Sequence, residues 1–438
     1  LPENANPNEY QSQLQAIQAA GLGPIQAAIL GYKCLTDGEG ITNLHGRFAY
    51  LTTAWLTHIA SLPKADETFT RLPEHAVTNA CALVRNMAFT SQQALRMSPW
   101  AMPVVSRFLC EMLVRKDLIS SPFVRYQFVD ALHALAFIDE DMERRQRTSL
   151  MLSSNLFDLV DGKAAAAAQP ALISLYVELG MHTNADAVTD KNQQRSWLMK
   201  VLGRLWLQPQ GGAALQALAE SDSFGEFATT LVKENIFLLD DALGRLTDVK
   251  KAEEEKADTD AWAKLTPRQQ ADREKRILSV RHTAQAFLGL GKLTLATLLR
   301  LATDSVIGKI FTDYPDRAKK MVAMLIKFLT TLTTNPSELN VKDRDKLGWK
   351  PRELLSDTTQ LLLACYERSS DFLDKLKAND SFERGTVEHV YRILRDKCQK
   401  EFPPHKLEKL TTLLVKLGSS EGGEGEGSGS AAAGEGEK

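Results

Sequence analysis

The chain has 438 residues, 53 basic and 55 acidic side chains, and 44% hydrophobic residues. Evenly matched charges give no net field to gather phosphate, so nucleic acid is not an expected partner. The apolar content is ample for packed cores, and one compact core of this length would be unusually large, so several domains or a repeat array are expected.

No uninterrupted apolar run of about 18 residues occurs, so no membrane-spanning segment is expected. The start Leu1-Pro2-Glu3-Asn4 has no methionine, charged n-region or apolar h-region; it reads as the start of a fragment rather than a secretory signal. Five cysteines, Cys34, Cys81, Cys110, Cys365 and Cys398, are scattered without a C-x-x-C spacing. Their odd number argues against a secreted disulfide framework, and reduced thiols on buried helix faces are expected.

Residues 1–12 are polar, with Pro2 and Pro7, and read as a disordered lead. Helices begin at Leu14. Gly21, Gly23 and Pro24 end the first and start another; no strand precedes them and no Lys-Ser or Lys-Thr follows, so they are not a phosphate loop. Thr36-Asp37-Gly38-Glu39-Gly40 has too few acidic ligands at the wrong spacing for calcium and reads as a turn. Amphipathic segments follow at about 44–60, 74–96, 101–116 and 122–138, parted by Pro63, Pro73, Pro99, Pro103 and Pro122. In the last of these, Val124, Phe128, Ala131, Leu132, Leu135 and Ile138 keep helical spacing, and Asp139 to Arg147 is charged and expected to be exposed. The alanine run Ala164 to Ala168 opens a helix reaching Leu179. Trp197 to Trp206 is one-faced and stops at Gln208-Pro209-Gln210-Gly211-Gly212.

Phe224 to Leu363 carries the strongest pattern. Val232, Ile236, Leu239, Leu243 and Leu246 form one apolar stripe; Met321, Met324, Leu325, Phe328, Leu329 and Leu332 form a second; Leu354, Leu355, Thr358, Leu361, Leu362 and Cys365 form a third. Between the first two, the charged run Arg245 to Arg276 leaves little to bury. It reads as a solvated helical hairpin with Thr266 as N-cap and Pro267 at the first helical position, supported by pairs such as Glu253 with neighbouring lysines. Asn335-Pro336 ends the second stripe. One or two helices over 384–417 break at Pro403-Pro404, and residues 418–438, made of Gly, Ser, Glu, Ala and Lys, read as a disordered tail. One-faced helices without strand alternation must bury their faces on one another. The expectation is all-α, an elongated α-solenoid of degenerate armadillo-like repeats over 13–417, preferred to a compact bundle.

No arrangement of nucleophile, base or metal ligands stands out. No histidine sits in H-E-x-x-H or at zinc spacing with cysteines. Asp130 and His133 share a helix face and could hold a metal if a second helix added ligands, but a hydrogen-bonded helix histidine is the preferred reading. There is no G-x-S-x-G and no Walker motif. No catalytic, cofactor-binding or metal-ligating residue is assigned, and a partner-positioning scaffold is expected.

Several blocks resemble a family. Asn235-Ile236-Phe237-Leu238-Leu239-Asp240-Asp241-Ala242-Leu243 leads into the hairpin with Trp262, Leu265-Thr266-Pro267 and Arg273-Glu274. Arg317, Met324 to Leu329, Leu339-Asn340-Val341-Lys342-Asp343, Trp349-Lys350-Pro351 and Leu354-Leu355-Ser356-Asp357 follow in order. Upstream, Ser121-Pro122-Phe123-Val124-Arg125, Val129-Asp130-Ala131-Leu132, Ala171-Leu172-Ile173 and Arg195 to Trp206 continue the likeness. Together these blocks, clearest over 99–363, are similar to the helical core of the ubiquitin chain-elongation factors, the E4 class of U-box ubiquitin ligases.

The resemblance implies an armadillo-like core holding a C-terminal U-box that recruits a charged ubiquitin-conjugating enzyme. Chains are then extended on substrates already carrying ubiquitin, with an AAA segregase ATPase as a partner, in cytoplasm and nucleus, toward proteasomal degradation. Such a ligase supplies no covalent nucleophile and no cofactor. The family continues from its last core helices into the U-box, whereas here Lys416-Leu417 runs into the Gly/Ser/Glu tail, so no U-box residue is carried over and the chain alone is expected to be inactive. A scaffold or adaptor without ligase activity is the alternative. Asn235, Asp240, Trp262 and Lys342 are the residues expected to make inter-helix or loop contacts.

Overall fold

A computed structural model describes residues 39–90, 100–145, 162–181, 188–208, 210–334, 337 and 339–418. The lead, the break at Gly21 to Pro24, Cys34, Pro99, Asn335-Pro336 and the tail beyond Gly418 lie outside these residues. The described residues are helical with no strand among them. The chain is all-α, and it divides into two compact units, residues 1–224 and 225–438.

Among the described residues of the first unit the helices are α1 Glu39–Ala60, α2 Ala65–Phe69, α3 Glu74–Thr90, α4 Met102–Val114, α5 Pro122–Arg145, α6 Gly162–Met181, α7 Val188–Trp206 and α8 Gly211–Leu218. Helix α1 already includes Glu39 and Gly40, which the sequence assigns to a turn. Proline marks helix starts as expected at Pro103 and Pro122. Pro170 departs from that rule, since it lies inside α6; the fully buried Leu172, Leu175 and Tyr176 around it supply the packing that offsets a missing backbone bond.

Each helix packs mainly on helices two or three places along the chain: α3 on α5, α4 on α6, α5 on α7 and α6 on α8. Phe108 and Phe128 meet edge to face at 5.7 Å. At the stop before α8, a Cβ on Gly211 would lie 1.9 Å from the Leu205 carbonyl oxygen. Only glycine fits that approach, and Gln169 Nε2 donates to the Gly211 carbonyl at 3.1 Å.

The first unit also buries a charge. Arg125 is 1% exposed and pairs with Glu178, which also accepts from Lys116 at 2.9 Å and Ser174 at 2.8 Å. Burial alone would raise the Glu178 carboxyl; the hydrogen bonds from Lys116, Ser174 and Arg125, with the Arg125 charge, outweigh it and hold it below the ordinary value of 4.5.

The second unit holds α9 Asp222–Ala257, which begins just before its boundary, and α10 Thr259–Ala263, α11 Pro267–Thr303, α12 Lys309–Thr312 and α13 Pro315–Thr334. It continues with α14 Arg344–Leu347, α15 Pro351–Arg368, α16 Phe372–Lys377, α17 Arg384–Lys397 and α18 Pro404–Gly418. The three stripes are buried, with Ile236 alone only partly covered. Helix α15 is buried more widely than its one-faced pattern suggests, since Ser356, Thr359, Leu363 and Ala364 are covered too. It is the central helix of the unit and touches α11, α12, α13, α16 and α18. Its buried hydroxyls are satisfied: Thr358 and Thr359 donate to the carbonyls of Leu354 and Leu355 at 2.8 Å, and Ser356 donates to Glu401 O at 2.8 Å.

Helix α11 is long and apolar enough to cross a bilayer by length and composition, although charged and polar residues interrupt its apolar run. Half of that window is buried, through Ala284, Phe287, Leu288, Leu295 and Leu298 among others. A core helix passes the same test.

Leu239→Ala or Phe328→Ala should each lower stability by about 2–5 kcal/mol, as for other buried large-to-small changes, read by denaturant unfolding. The stability gap between wild type and Glu178→Gln should be widest at neutral pH. A depressed carboxylate stabilises the fold above its unfolded value, so the gap should close as pH falls below about 4.5 and through the lower folded value. A gap that stays constant to pH 3 would contradict the assignment.

Candidate functional site

The residues expected from sequence to make contacts, Asn235, Asp240, Trp262 and Lys342, all lie in the second unit, each with its own partners. Asn235 is fully buried on α9, and its Nδ2 donates to Gly291 O at 2.8 Å and Thr294 Oγ1 at 2.7 Å on α11. A Cβ on Gly291 would lie 2.7 Å from Leu239 Cδ2, so the absent side chain allows the two helices to approach. Thr294 Oγ1 in turn donates to Gly291 O at 2.9 Å. Asp240 of α9 meets Lys327 of α13 at 2.7 Å. Both ends of that pair are exposed, so it contributes little.

The charged run forms the expected hairpin. Thr266 caps α11: its Oγ1 accepts from Gln269 N at 3.3 Å, Gln269 Oε1 accepts from Thr266 N at 2.9 Å, and Pro267 follows. Trp262, half-buried at the bend, lies under Lys256 at 5.7 Å and receives a hydrogen bond on its carbonyl from Gln270. The arms are joined by Lys256–Glu274 at 2.6 Å and Arg273–Glu255 at 3.2 Å. A cleft of about 360 Å³ opens between them, floored by Val249, Ala252, Ile277 and Val280 and rimmed by Lys251 and Arg276.

Glu253 does not pair with neighbouring lysines, as the sequence suggests. It reaches across to Arg281 at 2.9 Å, and its other oxygen accepts from Lys342 N at 2.9 Å. Arg281 donates to Lys342 O at 3.3 Å. Glu253 is therefore a latch that holds the 339–349 loop against the hairpin, and its carboxylate side chain is only 10% exposed. Pairs within α9 itself are Lys250–Glu254 at 3.2 Å and Arg245–Asp241. Within the loop, Asp343 adopts a left-handed φ of 51° and Trp349 Nε1 donates to Leu339 O at 2.9 Å. Lys342 thus acts through its backbone, which no side-chain pattern could announce.

Groups able to do chemistry are committed elsewhere. Asp130 pairs with Arg85 at 2.7 Å, and His133 stacks on Trp197 at 4.8 Å, so the two point to different partners. No group of three potential ligands gathers among the described residues. Cys81, Cys110, Cys365 and Cys398 are buried; Cys398 caps α17 rather than lying on its face. Burial pushes the Cys365 thiol up to about 12 and raises Cys81 and Cys398 as well. A protonated, enclosed thiol is not a nucleophile. Among the described residues the arrangement presents helix faces and a latched loop.

Residues 3–417 match the family model for the ubiquitin elongating factor core. The chain belongs to that family. It is 22% identical over 337 residues to the probable ubiquitin conjugation factor E4 of Arabidopsis thaliana, covering 75% of this chain and 31% of that protein. Against ubiquitin conjugation factor E4 A of Rattus norvegicus it is 23% identical, covering 76% and 32%. Against ubiquitin conjugation factor E4 of Schizosaccharomyces pombe it is also 23% identical, covering 74% and 33%. The chain thus spans about a third of the length of these curated relatives. For this core chain, the sequence missed Gly291, Thr294 and Arg281. A mid-helix glycine near a threonine on α11 was the available signal, and it acquires meaning only opposite Asn235.

Asn235→Ala should destabilise by about 1–3 kcal/mol, because a buried polar contact is lost while Thr294 still satisfies the Gly291 carbonyl. Gly291→Ala should cost at least as much through the clash with Leu239. Denaturant unfolding monitored by helicity reads both, and wild-type stability in each would show that α9 and α11 do not meet here.

Proposed function

We propose that this chain is the helical core of an E4-type ubiquitin chain-elongation ligase. In this reading it is an elongated α-solenoid that scaffolds transfer of ubiquitin from a conjugating enzyme to substrates already carrying ubiquitin, directing them to the proteasome. Family membership over residues 3–417 carries the reading. Among the described residues the thiols are buried, and burial raises Cys81, Cys365 and Cys398, which supports a non-covalent role for these helices, since a ligase that accepts ubiquitin on itself needs an accessible thiolate. Catalysis by such a protein would rest on holding reactants in attack geometry.

The partners that follow are a ubiquitin-conjugating enzyme docked through a U-box outside these residues, ubiquitinated substrates, and an AAA segregase ATPase, in cytoplasm and nucleus. The even charge balance favours protein partners over nucleic acid. A membrane has no role in this reading.

Purified 1–438, mixed with ubiquitin, activating enzyme, conjugating enzyme, ATP and a substrate already carrying ubiquitin, should extend no chains on a gel. Fusing a U-box after Leu417 should restore extension. Extension by the unfused chain would reveal an active site in these helices, and a folded fusion that stays inert would overturn the scaffold role.

A further inference from the structure

The arms of the α9–α11 hairpin are covered on one side and open on another. Glu253 faces the 339–349 loop, which it and Arg281 hold in place. Lys251, which lines the cleft, projects about 200° around α9 from Glu253, so the cleft opens on the side that the loop leaves bare. Its floor is apolar. Val249 and Ala252 on α9, and Ile277 and Val280 on α11, each stand at i, i+3, and all but Val249 are only half-buried. Trp262 bounds the cleft at the bend, fixed there by Gln270 and Lys256. Two helices that share an open apolar strip lack the third helix that a bundle would lay across it.

The charges around the floor are not equivalent. Glu255 and Arg273 pair at 3.2 Å and offset each other. Lys251 and Arg276, one on each arm, are exposed and make no ion pair or hydrogen bond among the described residues. Asp248, the remaining acid, lies about one turn from Lys251 toward the α9–α11 crossing. We propose that the cleft docks an acidic amphipathic helix of a protein partner, whose apolar residues at i, i+3 and i+7 enter the floor and whose carboxylates meet Lys251 and Arg276. Unpaired cations on both sides of an apolar strip favour an acidic occupant and set its register. Asp248 repels a carboxylate at the inner end, which confines the acidic residues to the middle of the cleft. A volume of about 360 Å³ takes a few side chains of one helix rather than a folded domain.

The test uses the whole chain and two fluorescent helical peptides of about 18 residues, one with leucine at i, i+3, i+4 and i+7 and glutamate between, the other with lysine in place of glutamate. By fluorescence anisotropy the glutamate peptide should bind saturably, and the lysine peptide at least about tenfold more weakly. Lys251→Glu with Arg276→Glu should weaken the glutamate peptide at least about tenfold and reverse the preference. Both residues are exposed, so the helicity and melting of this double variant should match wild type. Ala252→Leu, which fills the floor without altering charge, should weaken the glutamate peptide as well. No binding of that peptide at about 1 mM, equal binding of the two peptides, or binding unmoved by the charge reversal in the folded double variant would overturn the proposal.

Discussion

The contact between α9 and α11 at Gly291 is the constraint on which the second unit depends. A missing Cβ lets Leu239 sit against the α11 backbone. The Asn235 amide then bonds the Gly291 carbonyl and the Thr294 hydroxyl that a closer crossing exposes. Close packing of apolar atoms and satisfaction of buried polar ones are won by the same geometry, which makes the crossing specific rather than merely oily. The register of the long hairpin beyond it follows, since the cross-arm pairs at Glu253, Glu255 and Lys256 meet their partners only if α9 and α11 keep this alignment.

The hairpin illustrates how differently similar charges behave. Glu255 with Arg273 and Lys256 with Glu274 pair in solvent, where screening leaves them little to contribute. Glu253, two residues earlier, is nearly enclosed and grips both Arg281 and the backbone of Lys342. It therefore fixes a loop with a left-handed residue at Asp343, a conformation that needs support from its surroundings. The 339–349 loop is thereby held against the hairpin.

In the first unit the same economy applies. Arg125 and Glu178 place opposite charges in a covered position with Lys116 and Ser174 completing the carboxylate, while Asp130 and His133 are each engaged by a neighbour. Polar residues here order the packing of serial helices.

The helices themselves were legible in the chain. Apolar residues at helical spacing, proline at helix starts and the Thr266 cap are local features, and they settle local structure because backbone hydrogen bonds reach only one turn. The likeness of residues 99–363 to the ubiquitin elongating factor core was legible too, through blocks in a fixed order. Which face meets which was not. Asn235 and Gly291 stand 56 positions apart, Glu253 and Lys342 89, and the all-round burial of α15 comes from helices on every side of it. Those outcomes depend on distances across space, on a Cβ that is absent and a backbone amide that happens to face an acid. Only the folded arrangement of the chain could decide them.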